Sequence, residues 1–191
     1  MPKILLFLYD DMADFEVTFA VHLLASEKAG EIVPIGYNDT ARSMSGIEYK
    51  VSAAVKEALG YPDVAGLIIP GGYQCDLRKE LTALIRRLDG ESKLLAAICA
   101  GPQYLARTGV LAGRAFTTSI SEWTEEHAKR YGGPDPFPRE TYRDQRVVRD
   151  DHIITAVGDA FVDFAMELCD YFHLFKDEEE RRQFERDIKG T

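Results

Sequence analysis

The segment Leu94-Leu95-Ala96-Ala97-Ile98-Cys99-Ala100-Gly101-Pro102 leaves the chain few folds to choose from. Five consecutive apolar residues read as a strand buried on both faces, and Pro102 stands where a helix takes its first residue. Only Cys99, Ala100 and Gly101 lie between the two. A buried strand that turns this tightly into a helix is a βα unit, and such units build parallel sheets.

The rest of the chain repeats the alternation. Ile4 to Tyr9 reads as a strand, and Asp14 to Lys28 as an amphipathic helix with Phe15, Phe19 and Leu23 at helical spacing. Ile32 to Tyr37 is a second strand. The stretch from Ile47 to Val51 reads as a short hairpin or edge piece, set off by Asn38, Asp39 and Gly46. Leu67 to Ile69 runs into Pro70-Gly71-Gly72, Asp76 to Leu88 is the next helix, and Ala115 to Thr118 is a short strand before a charged helix from Ser121 to Tyr131. Gly132 to Pro138 must be a loop. Arg146 to Arg149 and Ile153 to Val157 flank Asp150-Asp151 as a hairpin, and a helix from Phe161 to Phe172 closes the core. We expect one domain over residues 1–175 and a charged helix or tail over 176–191, in which Phe184 and Ile188 are the only large apolar residues. The pattern predicts a mainly parallel sheet with helices on both faces and a site at the carboxyl ends of its strands.

Composition removes several functions. A 191-residue chain with 46% hydrophobic residues can bury a core without disulfide or metal support. A net charge of −9 opposes binding to nucleic acid or anionic membrane, which are recognised through basic patches. The apolar run Ile4 to Leu8 is too short for a signal peptide, and no stretch is long enough to span a bilayer. Cys75, Cys99 and Cys169 are an odd set at wide spacings with no CxxC, which argues against a disulfide framework and a zinc site. Free thiols in a cytoplasmic protein, with no metal and no cofactor, are the expectation.

Cys99 is the candidate nucleophile. Ala97 and Gly101, two residues to either side of it, are the small neighbours that a nucleophile elbow requires. A helix N-terminus beside the thiol would favour thiolate and lower its pKa. A free cysteine can equally be a small buried hydrophobe; here the small flanking residues and the proline favour the elbow. The N–H of Gly72, after another strand, and that of Ala100 could together form an oxyanion hole, with Gly71 and Cys75 bordering the same pocket. Glu16 falls in the opening turn of the first helix, where an acid serves the helix dipole as readily as it serves function.

Three segments together resemble the ThiJ/PfpI superfamily: Leu8-Tyr9-Asp10-Asp11-Met12-Ala13-Asp14-Phe15-Glu16, Leu67-Ile68-Ile69-Pro70-Gly71-Gly72, and Ala96-Ala97-Ile98-Cys99-Ala100-Gly101-Pro102. The similarity runs on through Leu105, Ala106, Gly109 and Thr117-Thr118 to Ile153-Ile154-Thr155-Ala156 and Gly158. With Phe7 to Glu16, Trp123 and Tyr142, it is nearest to a bacterial, uncharacterised peptidase-like subgroup. The resemblance implies a flavodoxin-like three-layer α/β/α sandwich, a homodimer, and Glu16 hydrogen-bonded to Cys99 as a protonated donor to the thiolate or its sulfinate. It also implies a cysteine hydrolase, glyoxalase or deglycase acting on a peptide, an amide or a small reactive carbonyl compound; the alternative is a non-catalytic redox sensor.

Two departures from the family pattern bear on mechanism. Proteolytic members carry histidine directly after the cysteine, where this chain has Ala100; human-type members carry it after the Thr-Thr pair, where Ser119 stands. No His-x-Glu of the glutamine-amidotransferase kind follows, since His127, His152 and His173 have other residues after them. His127 is left as the candidate base if its helix bends over the pocket, and otherwise as a surface residue. His22, His152 and His173 read as structural, and Cys169 as core.

Overall fold

A computed structural model describes residues 1–190. Its strands are β1 (Lys3–Phe7), β2 (Glu31–Gly36), β3 (Thr40–Arg42), β4 (Glu48–Lys50), β5 (Ala53–Ala54), β6 (Val64–Ile69), β7 (Leu94–Ile98), β8 (Val147–Asp150) and β9 (Ile153–Ala156). Its α-helices are α1 (Phe15–Ser26), α2 (Val55–Ala58), α3 (Lys79–Gly90), α4 (Pro102–Thr108), α5 (Glu125–Tyr131), α6 (Phe161–Tyr171) and α7 (Glu178–Lys189).

The apolar runs form one seven-stranded sheet in the order β5-β2-β1-β6-β7-β9-β8. All of its pairs are parallel except β8 with β9, the expected hairpin. A register row crosses the centre through Val33, Leu5, Leu67, Leu95 and Ile153, each buried. Helices α1 and α6 pack together on one face, while α2, α3 and α4 succeed one another on the other. This is the flavodoxin-like α/β arrangement, and right-handed crossovers from parallel strands dictate it. β7 lies near the middle of the sheet with all five residues fully buried, so the residue that follows it is held on rigid backbone.

Several boundaries differ from expectation. The helix expected from Asp76 begins at Lys79, because Asp76 and Arg78 spend their backbone groups on Tyr37: the hydroxyl donates to the Asp76 carbonyl and accepts the Arg78 N–H. Ala115 to Thr118 is no strand. The place beside β9 is taken by β8, and the segment keeps a single bridge, Phe116 to Tyr142. Its amides turn instead to side chains, Ala115 N–H to the Asp150 carboxylate and Thr117 N–H to Thr155 Oγ1. The helix expected from Ser121 starts only at Glu125, where Thr124 caps it. The edge piece near Ile47 is half of the β3–β4 hairpin, separate from the main sheet. Beyond α6, the charged α7 has no buried residue and is tied back by Arg181 to Asp170 at 2.6 Å and by Lys189 to Asp163.

Candidate functional site

The end of β7 is the elbow that the flanking small residues imply. Cys99 has φ +62, in the left-handed region that costs a side-chain-bearing residue roughly 1–2 kcal/mol. Three hydrogen bonds hold it there. Its N–H donates to the Ala156 carbonyl (2.8 Å), and its carbonyl accepts from Thr118 Oγ1 (2.7 Å) and the Ser119 N–H (3.0 Å). The small neighbours are required by space: a Cβ on Gly101 would lie 2.8 Å from the carbonyls of Ile69 and Pro70.

Two glycines let other backbone approach the thiol. A Cβ on Gly71 would lie 2.5 Å from both Cys99 Cβ and Glu16 Oε2. One on Gly158 would lie 2.9 Å from Glu16 Oε1 and 3.0 Å from Cys99 Sγ. Cys99 and Glu16 therefore face each other between two bare backbone segments that follow β6 and β9. Glu16 is 2% exposed, and its Oε2 accepts the Gly71 N–H at 2.7 Å.

Electrostatics at the pair run opposite to the lowered thiol pKa expected from the helix N-terminus. Burial and the Glu16 carboxylate push the Cys99 thiol up to about 12, against the hydrogen bonds that Ser119 and the Ala100 N–H offer the sulfur. The helix supplies little because its first amides are already used: Gly101 N–H bonds to Ile98, Gln103 N–H to Ala100 and Tyr104 N–H to Gly101. Burial likewise raises Glu16 from its ordinary 4.5 to about 7, with the bonds from Cys99 and Gly71 holding it from going higher. Both groups hold their protons to higher pH than in water, and the carboxyl is the first of the two to ionise.

The remaining candidates divide. Ser119 is at the site, its Oγ accepting the Gly158 N–H at 2.9 Å beside Cys99, whose charged form it favours. Ala100 directs its N–H at the sulfur. Gly72 bridges Met12 and is held at φ +150, where a Cβ would strike the Asp11 carbonyl at 2.5 Å. Gly71 has given its N–H to Glu16 and cannot serve an oxyanion while that bond stands. Cys75 turns its thiol to the Arg130 carbonyl at 3.1 Å rather than to Cys99. His127 lies in the cap of α5, its Nδ1 accepting the Thr124 N–H at 3.1 Å, and its ring stacks near Trp123 and Tyr131. That tie makes it a helix cap rather than a base aimed at Cys99. His22 and His173 are exposed; His152 is buried between Asp89 and Asp151, and Cys169 is buried in α6.

The sequence alone did not single out Tyr9 and Tyr131. Burial raises both phenols, and the charges of Glu16 and Cys99 add to the rise at Tyr9, that of Cys99 to the rise at Tyr131. Tyr9 donates to the Pro70 carbonyl at 2.8 Å, and Tyr131 makes a long 3.4 Å contact to the Gly72 carbonyl. Gly158 could have been found by analogy with Gly71, since both follow the end of a parallel strand; nothing local marks Tyr131.

A cysteine on a strained elbow, paired with a buried carboxyl at the strand ends of a parallel sheet, defines an elbow-thiol protein of flavodoxin-like fold. The chain belongs to the DJ-1/PfpI family, whose sequence profile matches residues 2–171. It is 26% identical over 122 residues to a deglycase of Thermococcus kodakarensis, covering 62% of this chain and 73% of that protein. To an uncharacterized protease of Bacillus subtilis it is 25% identical over 187 residues, covering 91% and 84%. A DJ-1 superfamily protein of Agrobacterium tumefaciens superimposes with a TM-score of 0.79 at 29% identity, over 98% of this chain and 100% of the other. Oxidized DJ-1 of Toxoplasma gondii gives 0.78 at 22%, over 98% of each, a likeness of fold.

Proposed function

We propose that this chain is a cysteine-dependent enzyme of glyoxalase or deglycase type, acting on small reactive carbonyl compounds through Cys99 and Glu16. The observation that carries the reading is the facing pair itself: a thiol and a carboxyl, both raised by burial, enclosed by Gly71 and Gly158. Similarity to proteins named deglycases supports it.

With a 2-oxoaldehyde, Cys99 sulfur forms a bond to the aldehyde carbon while its proton passes to Glu16. The carbonyl π pair moves to oxygen, which the Ala100 and Gly72 N–H groups would steady and Glu16 would protonate. Glu16, again a carboxylate, takes the proton from that same carbon and returns it to the neighbouring ketone carbon, while the hydroxyl proton passes from the first oxygen to the ketone oxygen. The result is a thioester of a 2-hydroxy acid. Water cleaves the C–S bond, freeing the acid and the thiol, so the net change is addition of one water with no outside oxidant. A carboxyl near pH 7 can act in both directions. Peptide hydrolysis fits less well, because neither usual histidine position is filled and Glu16 alone would have to serve both the thiol and the leaving amine.

The test is consumption of methylglyoxal and release of the hydroxy acid by purified protein. Cys99→Ala should abolish both; equal activity in the variant would refute the reading.

A second reading, redox sensing, is favoured by the donors that surround Sγ, since Ser119, Ala100 and a protonated Glu16 would also hold a sulfinate. Intact mass after graded peroxide separates it. A selective two-oxygen gain at Cys99, at concentrations that leave Cys75 unmodified, supports sensing, and uniform oxidation of both opposes it. We further propose that the protein is cytoplasmic and works as a homodimer; no described helix is long and apolar enough to cross a membrane.

A further inference from the structure

The place after the Thr-Thr pair, where an imidazole would act as a base, holds a hydroxyl whose bonding is already half determined. Ser119 Oγ accepts the Gly158 N–H at 2.9 Å, and the Ser119 N–H donates to the Cys99 carbonyl at 3.0 Å. A hydroxyl has one proton to give. With a lone pair committed to Gly158 and the backbone pinned to Cys99, that proton is free to turn toward the sulfur, which lies against the same Gly158. Gly158 must be bare for this to work, because a Cβ there would press within 3.1 Å of Cys99 Sγ and Cβ.

We propose that Ser119 is a catalytic hydrogen-bond donor to Cys99, steadying the attacking thiolate in place of the base that the position would otherwise supply. The inference rests on Cys99 being the reactive group. It also bears on the substrate class: with Ser119 only a donor, Glu16 is left as the single proton carrier, which suits addition of sulfur to a carbonyl and a proton shift between adjacent carbons. Aldehydes and ketones are therefore favoured over amides. The titratable groups that face the thiol are Glu16 from α1, Tyr9 after β1 and Tyr131 from α5, and none is a cation. The Tyr9 and Tyr131 hydroxyls are turned to the Pro70 and Gly72 carbonyls, so Ser119 is the neutral hydroxyl left with a proton for the sulfur.

The experiment is the pH dependence of Cys99 alkylation by iodoacetamide, followed by mass, in the wild type, Ser119→Ala and Ser119→Thr. Loss of a hydrogen bond to an ion should move the midpoint up by about one pH unit and slow alkylation near neutral pH about tenfold. Ser119→Thr, which keeps the hydroxyl, should stay close to the wild type. On methylglyoxal, Ser119→Ala should lower kcat with little change in KM. An unmoved midpoint in Ser119→Ala, or equal shifts in Ala and Thr, overturns the role of the hydroxyl while leaving Cys99 reactive. A wild type that turns over no carbonyl substrate at all refutes the proposed function instead, and the alkylation profile still decides the role of Ser119.

Discussion

Replacing Glu16 by glutamine isolates the energetic core of the site. The amide is close to a copy of the protonated carboxyl: its oxygen can accept the Gly71 N–H, and its NH2 can donate to Cys99 sulfur. What it removes is ionisation. Burial raises Glu16 from 4.5 to about 7, so below pH 4.5 the group is protonated in both folded and unfolded chains and costs nothing. As pH rises from there the unfolded chain gives up the proton first, and stability is lost until the folded carboxyl ionises near pH 7. At 1.36 kcal/mol per pH unit the loss is roughly 3 kcal/mol, or about 6 to 12 °C in Tm for a chain of this size. Glu16→Gln escapes that loss. Thermal melts of both proteins should coincide near pH 4 and diverge to pH 8, with the variant the more stable and catalytically dead. Parallel stability curves across that range would show that the folded protein ionises Glu16 as easily as water does, and the proposed transfer of the Cys99 proton to Glu16 would fall with it.

Gly158→Ala should cost about 1–3 kcal/mol by overpacking and slow Cys99 alkylation by roughly tenfold or more, since the new methyl meets Glu16 Oε1 and Cys99 Sγ at 2.9 and 3.0 Å; denaturant melts and labelling rates check both. Burial opposes the charge of Asp14, but the hydroxyls of Ser45, Tyr49 and Ser43 outweigh it and hold the carboxyl below its ordinary range. That anchor of the β3–β4 hairpin is therefore present at neutral pH and lost on acidification, and Asp14→Ala should cost roughly 2 kcal/mol or more, with hydrogen exchange rising across residues 40–50. His127→Ala should fray the first turn of α5 and leave carbonyl turnover within about twofold of the wild type, because its ring serves the Thr124 cap. A loss of activity at the scale of Cys99→Ala would restore His127 as the base.

The parts of this structure that were legible in sequence are those that sterics forces on any chain of that pattern. Leu94 to Ile98 can only be a buried strand, and the small residues around Cys99 can only serve a turn in which larger ones collide, so the elbow is readable residue by residue. Pro70-Gly71-Gly72 is readable as a turn, though not the use of the Gly71 N–H, which depends on a carboxyl 55 residues away. The failed strand at Ala115 to Thr118 has a similar origin. Its apolar pattern is adequate for a strand, but a neighbouring hairpin occupies the vacancy and side chains of Asp150 and Thr155 take its amides. Helix onset misread at Asp76 and Ser121 reflects the same competition, in which side-chain hydrogen bonds claim the backbone before the helix does.

The lowered thiol pKa failed for a different reason, and that reason bears on what the site can do. A helix N-terminus stabilises a thiolate only through amides that remain free, and in α4 the tight turn at Gly101 consumes all but that of Ala100. The thiol is then governed by burial and by Glu16, both of which keep its proton on. Such a cysteine is not a standing thiolate open to any electrophile. In the proposed reaction it becomes nucleophilic when its proton moves to Glu16, which removes the carboxylate charge opposing ionisation and leaves Ser119, Ala100 and the new carboxylic acid to donate to the sulfur. Activation is therefore coupled to the partner that must next handle the proton, an arrangement suited to adding sulfur to a carbonyl and moving one proton between adjacent carbons.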